Sequence, residues 1–144
     1  MGKKIIIGSD HAGFALKQKV KDFLISKGYK VKDVGCYKEI SCDYPEFAKR
    51  LCDEVIAQSC LGILICGSGI GMSISANRVK GIRAALCCNE YMARMSRRHN
   101  DANVLCLGAR VLGEDVALSV VESFVHEEFE GGRHQRRIDL IESL

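Results

Sequence analysis

A thiol followed at once by glycines, Cys66-Gly67-Ser68-Gly69-Ile70-Gly71, is the part of this chain best suited to chemistry. Glycines let a backbone turn its N–H groups inward, so the segment can cradle an anion while Cys66 offers a proton acceptor beside it. The apolar run Leu61-Gly62-Ile63-Leu64-Ile65 leads into the loop and reads as a buried strand that delivers Cys66 to it. Met72-Ser73-Ile74-Ser75-Ala76 starts a helix directly behind. A second reactive stretch is Gly131-Gly132-Arg133-His134-Gln135-Arg136-Arg137. Arg133 and Arg137 are four apart, so a helix projects both guanidinium groups from one face, at the edge of a stripe made by Ile138, Ile141 and Leu144. That face either holds a phosphate monoester or is a solvated basic surface.

Spacing removes several chemistries that a glycine-rich loop also fits. The dinucleotide fingerprint needs a small residue where Met72 stands and an acidic ribose ligand about twenty residues on, where Ile82 to Cys87 has none. A nucleotide-hydrolase loop ends in Gly-Lys-Ser/Thr, and no such tripeptide follows a strand here. A phosphocysteine loop needs an arginine at position 72 to clamp the phosphoryl group. No cofactor is implied. The eight cysteines are Cys36, Cys42, Cys52, Cys60, Cys66, Cys87, Cys88 and Cys106. They form no C-x-x-C pair, which argues against a metal site, and several fall inside apolar patterns, as reduced core residues do. With 21 basic and 18 acidic residues the net charge is +3, too mild to imply nucleic acid.

These residues need a scaffold, and 144 residues at 47% hydrophobic content suffice for one domain spanning 1–144. The single proline and the absence of a Ser/Gly-rich linker leave no internal boundary. Strands alternate with amphipathic helices. Lys4 to Gly8 is the first strand, and the helix from Gly13 to Lys27 carries Leu16, Val20, Phe23 and Leu24 on one stripe, closed by Gly28. Tyr29 to Val34 alternates like a strand near an edge. Asp43 caps a helix with Pro45 in its first turn and Phe47, Ala48, Leu51, Val55 and Ile56 on its buried face. Leu61 to Ile65, Ile82 to Cys87 and Val104 to Leu107 are further buried strands, the last two separated by a helix from Asn89 to Arg98. After Gly113 a helix runs to about Glu127 with Val116, Val120, Val121, Phe124 and Val125 at helical spacing, and Arg133 to Leu144 forms the last.

This alternation predicts an α/β fold, a Rossmann-like three-layer sandwich of about five parallel strands flanked by helices. Ligands then bind beyond the carboxyl ends of the strands. Asp10-His11 follows the first strand, Cys66 to Gly71 the third and Gly108-Ala109-Arg110 the fifth, so these candidates share one rim. The N-terminal apolar segment is too short for a secretory signal or a membrane span, so the expected location is cytoplasmic with no membrane partner.

Six separated motifs, in order and at matching spacing, resemble the type B ribose-5-phosphate isomerases and the related galactose-6-phosphate isomerase subunits and allose-6-phosphate isomerases. They are Gly8-Ser9-Asp10-His11-Ala12-Gly13-Phe14, Asp43-Tyr44-Pro45, Cys66-Gly67-Ser68-Gly69-Ile70-Gly71, Ser96-Arg97-Arg98-His99-Asn100-Asp101-Ala102-Asn103, Gly108-Ala109-Arg110 and Glu130-Gly131-Gly132-Arg133-His134. The resemblance implies a cofactor-free aldose–ketose isomerase of a phosphorylated pentose, with hexose 6-phosphates as the alternative substrates. A non-catalytic phosphosugar-binding module is the alternative of another class.

By the same resemblance Cys66 is the base that moves a proton between two carbons through an enediolate. A free thiol titrates at about 8.5, so the loop has to favour the thiolate. The amides of Gly67, Ser68, Gly69, Ile70 and Gly71 are expected on the enediolate oxygen, and Ser68 relays the hydroxyl proton. His99 opens the furanose ring as an acid, and Asn100 holds the developing oxyanion region. Asp10 and His11 contact the sugar or its phosphate, with a helix N-cap as the structural alternative for Asp10. Arg110, Arg133 and Arg137 bind the phosphate. Some relatives use a glutamate on the following helix instead of the thiol; here Ser73-Ile74-Ser75 offers no carboxylate. The resemblance also implies a homodimer, or a tetramer, with active sites built from both chains. The stripe ending in Leu140, Ile141 and Leu144 fits a partner's cover or packing on the chain's own sheet. Cys87, Cys88 and Cys106 read as strand core, and Cys36 and Cys42 as oxidation-prone flanks of a loop.

Overall fold

The computed structural model describes residues 2–144; Met1, which the single-domain expectation included, lies outside the described residues. One five-stranded sheet organises the chain, with β1 (Lys4–Ser9), β2 (Lys30–Asp33), β3 (Leu61–Cys66), β4 (Ala84–Leu86) and β5 (Val104–Gly108) in the order β2-β1-β3-β5-β4. Every pairing is parallel. The helices are α1 (Phe14–Ser26), α2 (Tyr44–Gln58), α3 (Ile70–Ala76), α4 (Glu90–Arg98), α5 (Glu114–His126) and α6 (Arg133–Glu142). The chain leaves β1 for β2 on one side and returns to β3 on the other. A crevice therefore opens between the carboxyl ends of β1 and β3.

Parallel strands covered on both faces are apolar at every position, which is why β1, β3 and β5 are buried almost throughout. On one face Ile5, Ile7, Ile63 and Ile65 meet Val20 and Leu24 of α1 and Val120, Val121 and Phe124 of α5. On the other, Ile6 and Leu64 meet Phe47, Leu51 and Val55 of α2 and Met72 and Ala76 of α3. Both sheet edges are blunt. β2 reads Lys30-Val31-Lys32-Asp33 with its two lysines exposed, and β4 has only three residues.

Several expectations shift when the chain is folded. The fourth strand is confined to Ala84–Leu86, because the chain turns at Cys87-Cys88 toward Asn89, whose side-chain oxygen accepts the Met92 N–H at 2.9 Å and starts α4. Cys87 is buried, but Cys88 is exposed and is not strand core. Ile56 and Val116 lie on outer helix faces, and Cys52 and Ala117 take the buried positions instead. Asp43 occupies the N-cap position of α2 without a side-chain capping bond. Cys36 is buried rather than an exposed loop flank. The last helix ends at Glu142, and Leu140, Ile141 and Leu144 are exposed rather than packed on the sheet.

The least expected core residue is Lys17 of α1, whose side chain is 0% exposed. Its ammonium donates to both Asp33 carboxylate oxygens at 2.8 and 2.7 Å and to the Cys36 carbonyl at 2.6 Å. The rings of Phe14 and Tyr37 flank it at 5.2 and 5.3 Å. This cluster ties α1 to the end of β2 and to the loop that follows. Replacing Lys17 by alanine leaves Asp33, 8% exposed, without its closest cation. We expect a loss of about 3–5 kcal/mol in unfolding free energy from urea denaturation, and an unchanged midpoint would contradict that role.

Candidate active site

At the crevice between β1 and β3 the carboxyl ends of three strands converge on a cleft of about 620 Å³. Asp10 and His11 come from the turn after β1, Cys66, Gly67, Ser68, Ile70 and Gly71 from the β3–α3 turn, and Arg110 from the turn after β5. The expected shared rim is thus present. Tyr44, Ile74 and Val111 complete the wall; composition and spacing gave no reason to place them there, although Tyr44 belongs to the Asp43-Tyr44-Pro45 motif.

The loop's geometry is set by Gly69, which adopts φ +79° and caps α3. A Cβ there would lie 2.5 Å from Leu86 Cδ1 and 2.9 Å from the Leu107 carbonyl carbon, so neither handedness nor space admits a side chain. This turn swings the Gly69 N–H back onto Cys66 Sγ at 3.1 Å. Cys66 is 5% exposed, and it still borders the cleft rather than facing only the apolar interior. The Ile70 N–H points to Ser68 Oγ at 3.1 Å. Two of the five amides expected on an enediolate are therefore engaged within the loop itself. Gly67, Ser68 and Gly71 keep amides unengaged by other described residues.

Neighbouring turns fix the polar groups. Asp10, 6% exposed, accepts the Gly13 N–H on Oδ1 at 3.0 Å. It organises the turn before α1 while bordering the cleft, although the N-cap position itself is Gly13. The Cys42 N–H donates to His11 Nδ1 at 3.3 Å and so sets the orientation of the ring. Arg110 is exposed and lies against the loop, its Nη1 3.3 Å from where a Cβ on Gly67 would stand. Its N–H donates to the Gly67 carbonyl at 2.9 Å. A cation, an imidazole, loop amides and a thiol thus line one cleft, an arrangement that can bind an anionic substrate and move its protons.

His99, Asn100, Arg133 and Arg137 are elsewhere in the chain. Helix α4 runs from the carboxyl end of β4 back to the start of β5, so His99 at its C-cap and Asn100 lie at the opposite end of the sheet from Cys66. The Glu130 N–H donates to the Arg98 carbonyl at 3.0 Å and holds α6 at that same end, with Arg133 and Arg137 exposed. The expected site residues thus fall into two groups, one at each end of the sheet.

Burial shapes several of the other thiols. Burial pushes Cys52 up to about 12 and Cys87 up to about 11, and raises Cys106 well above the ordinary thiol range. Burial also raises Cys42 and Cys60.

A parallel α/β sheet that holds a thiol over a glycine-turned loop at its crevice, with His11 and Arg110 beside it, defines a small enzyme acting on an anionic substrate. Residues 5–141 match the family described as Ribose/Galactose Isomerase. Ribose-5-phosphate isomerase B of Escherichia coli is 43% identical over 143 residues, covering 99% of this chain and 96% of that protein. A ribose 5-phosphate isomerase crystal structure from Thermotoga maritima superposes with a TM-score of 0.97 at 49% identity and full coverage of both chains. Ribose-5-phosphate isomerase B of Mycoplasma genitalium, solved with bound ribulose-5-phosphate, gives 0.94 at 44% identity over 99% of this chain and 96% of that one. The chain belongs to the ribose/galactose isomerase family. No helix among the described residues is long and apolar enough to cross a membrane.

Thiol reactivity tests the burial pattern, since only the thiolate is alkylated and a thiol titrating near 12 is ionised in about one molecule in 10⁴ at pH 8. Iodoacetamide at pH 8 is expected to modify exposed Cys88 and leave Cys52, Cys87 and Cys106 unlabelled in peptide mass spectra. Labelling of Cys106 ahead of Cys88 would contradict the fold at β5.

Proposed function

We propose that this isomerase interconverts ribose 5-phosphate and ribulose 5-phosphate without a cofactor, in the cytoplasm, as a step of the non-oxidative pentose phosphate pathway. The observation that carries the reading is Cys66 Sγ at the edge of the cleft, fixed by the Gly69 N–H, with His11 and Arg110 lining the same cleft. The complex of the Mycoplasma genitalium relative with ribulose-5-phosphate supports the same substrate. Cys66 takes the proton from C2 of the open-chain aldose and returns it to C1. Between these transfers the Gly67, Ser68 and Gly71 amides steady the enediolate oxygen, each well-aimed donor contributing about 3–4 kcal/mol. Ser68 relays the proton between the two oxygens, and Asp10 and His11 orient the sugar.

His99 opens the furanose ring, Asn100 supports the oxyanion region, and Arg133 and Arg137 join Arg110 on the phosphate. Because these four lie at the far end of the sheet, they reach Cys66 only from a second copy of the chain, and the functional unit is a homodimer with shared sites. Two exposed apolar zones favour that pairing. Ile70, Ile74 and Val111 form a lip on the cleft, and Leu140 and Ile141 lie on the helix that carries Arg133 and Arg137, with Leu144 just beyond its end.

Cys66→Ala is expected to lower kcat for ribose 5-phosphate by about 10²–10⁴-fold while KM stays within about threefold. Assays against allose 6-phosphate and galactose 6-phosphate complete the substrate test; a higher kcat/KM on either hexose would replace the pentose assignment. Subunit mixing tests the shared site. Cys66→Ala and His99→Asn proteins, each inactive alone, should regain about a quarter of native activity after mixing, since half the dimers then hold one intact site. No recovery would place both residues in a site of one chain.

A further inference from the structure

We propose that Glu130 and His134 are positioning residues for His99, forming a stacked imidazole pair on one carboxylate that presents His99 as the proton donor of ring opening. The inference rests on the reading of His99 as that acid. His99 caps α4, its N–H bonded to the Met95 carbonyl at 2.9 Å, and its side chain is partly open to solvent. The His134 ring lies flat against it, with centroids 4.1 Å apart and planes inclined by 12°. Glu130 Oε1 lies 3.4 Å from His134 Nε2 and 3.8 Å from His99 Nε2. Sequence places these groups together because Gly131 and Gly132, at φ +71° and +58°, turn the chain sharply into α6. The Glu130 N–H to the Arg98 carbonyl then ties the turn beside His99.

The three groups divide their tasks. Two stacked imidazolium ions at this distance would repel, which disfavours charging both rings at once. Burial, with the neighbouring His99, Arg133 and Arg137 charges, outweighs the Glu130 carboxylate and lowers His134 from its ordinary value, so His134 serves as the surface against which His99 stacks. Arg98, next in sequence to His99, is engaged by Glu127 at 2.7 and 3.2 Å, so it does not draw off the Glu130 carboxylate. His99 is thereby held in plane by the stack, with the Glu130 carboxylate 3.8 Å from its Nε2. From this position it hands a proton to the furanose ring oxygen as the C1–O4 bond breaks, and the C1 hydroxyl releases its proton to solvent. The same three donor atoms lie within 4.8 Å of one another, but near-parallel rings aim their lone pairs side by side instead of at a common point, which disfavours a tetrahedral ion.

Ribulose 5-phosphate separates this role from general damage, because a ketopentose esterified at O5 has no hydroxyl left to close a five-membered ring. Its C1 proton exchanges with D₂O through the Cys66 step alone. Glu130→Gln and His134→Asn are expected to lower kcat on ribose 5-phosphate about tenfold, with KM within about twofold and C1 exchange, followed by NMR, within about threefold of native. Unchanged kcat in Glu130→Gln, or equal losses of turnover and exchange, would overturn the proposal. If His99→Asn turns over ribose 5-phosphate at the native rate, the acid assignment itself fails, a result separate from any effect at Glu130. Turnover lost on dialysis against EDTA and restored by Zn²⁺ would assign the cluster to a metal instead.

Discussion

One hydrogen bond, from the Gly69 amide to the Cys66 sulfur, holds the site's geometry in place. It exists because a strand ends where a left-handed glycine begins, so the backbone doubles back on the last side chain of β3. The amide orients the sulfur at a position only 5% exposed. The start of α3, the engagement of Ile70 by Ser68 and the seat of Arg110 against Gly67 all depend on the same turn. A β-carbon at position 69 would meet Leu86 and Leu107 before it met solvent. Sheet packing and the reactive loop are therefore a single constraint.

Parallel connectivity explains why the remaining polar residues stand apart. Each crossover helix returns the chain to the opposite end of the sheet, so a residue at the end of α4 cannot share a rim with one at the end of β3. The family's fold accepts this separation, and the proposed assembly turns it into a requirement for two chains. The exposed apolar residues on the cleft lip and on α6 are then surfaces awaiting each other.

Much of this was legible in the residues. Apolar runs bounded by glycines located β1, β3 and β5, and the order of strands and helices placed Asp10, Cys66 and Arg110 together, because topology alone fixes which strand ends meet. Helix faces were less secure: Ile56 and Val116 fit a helical stripe as well as Cys52 and Ala117 do, and only the three-dimensional neighbours decide which are covered. Lys17 was invisible for a different reason. A lysine within an amphipathic helix reads as solvent-facing unless its partner is known, and Asp33 and the Cys36 carbonyl are 16 and 19 residues away. Glu130 likewise acquires meaning only when the glycine turn brings it under two imidazoles. Long-range polar contacts leave no periodic trace.

The blunt edges of the sheet have a consequence for how molecules meet. Lysines along β2 and the brevity of β4 deny an incoming strand a continuous ladder, so copies of this chain cannot grow side by side into an open-ended ribbon. Such borders work against edge-to-edge strand pairing between copies.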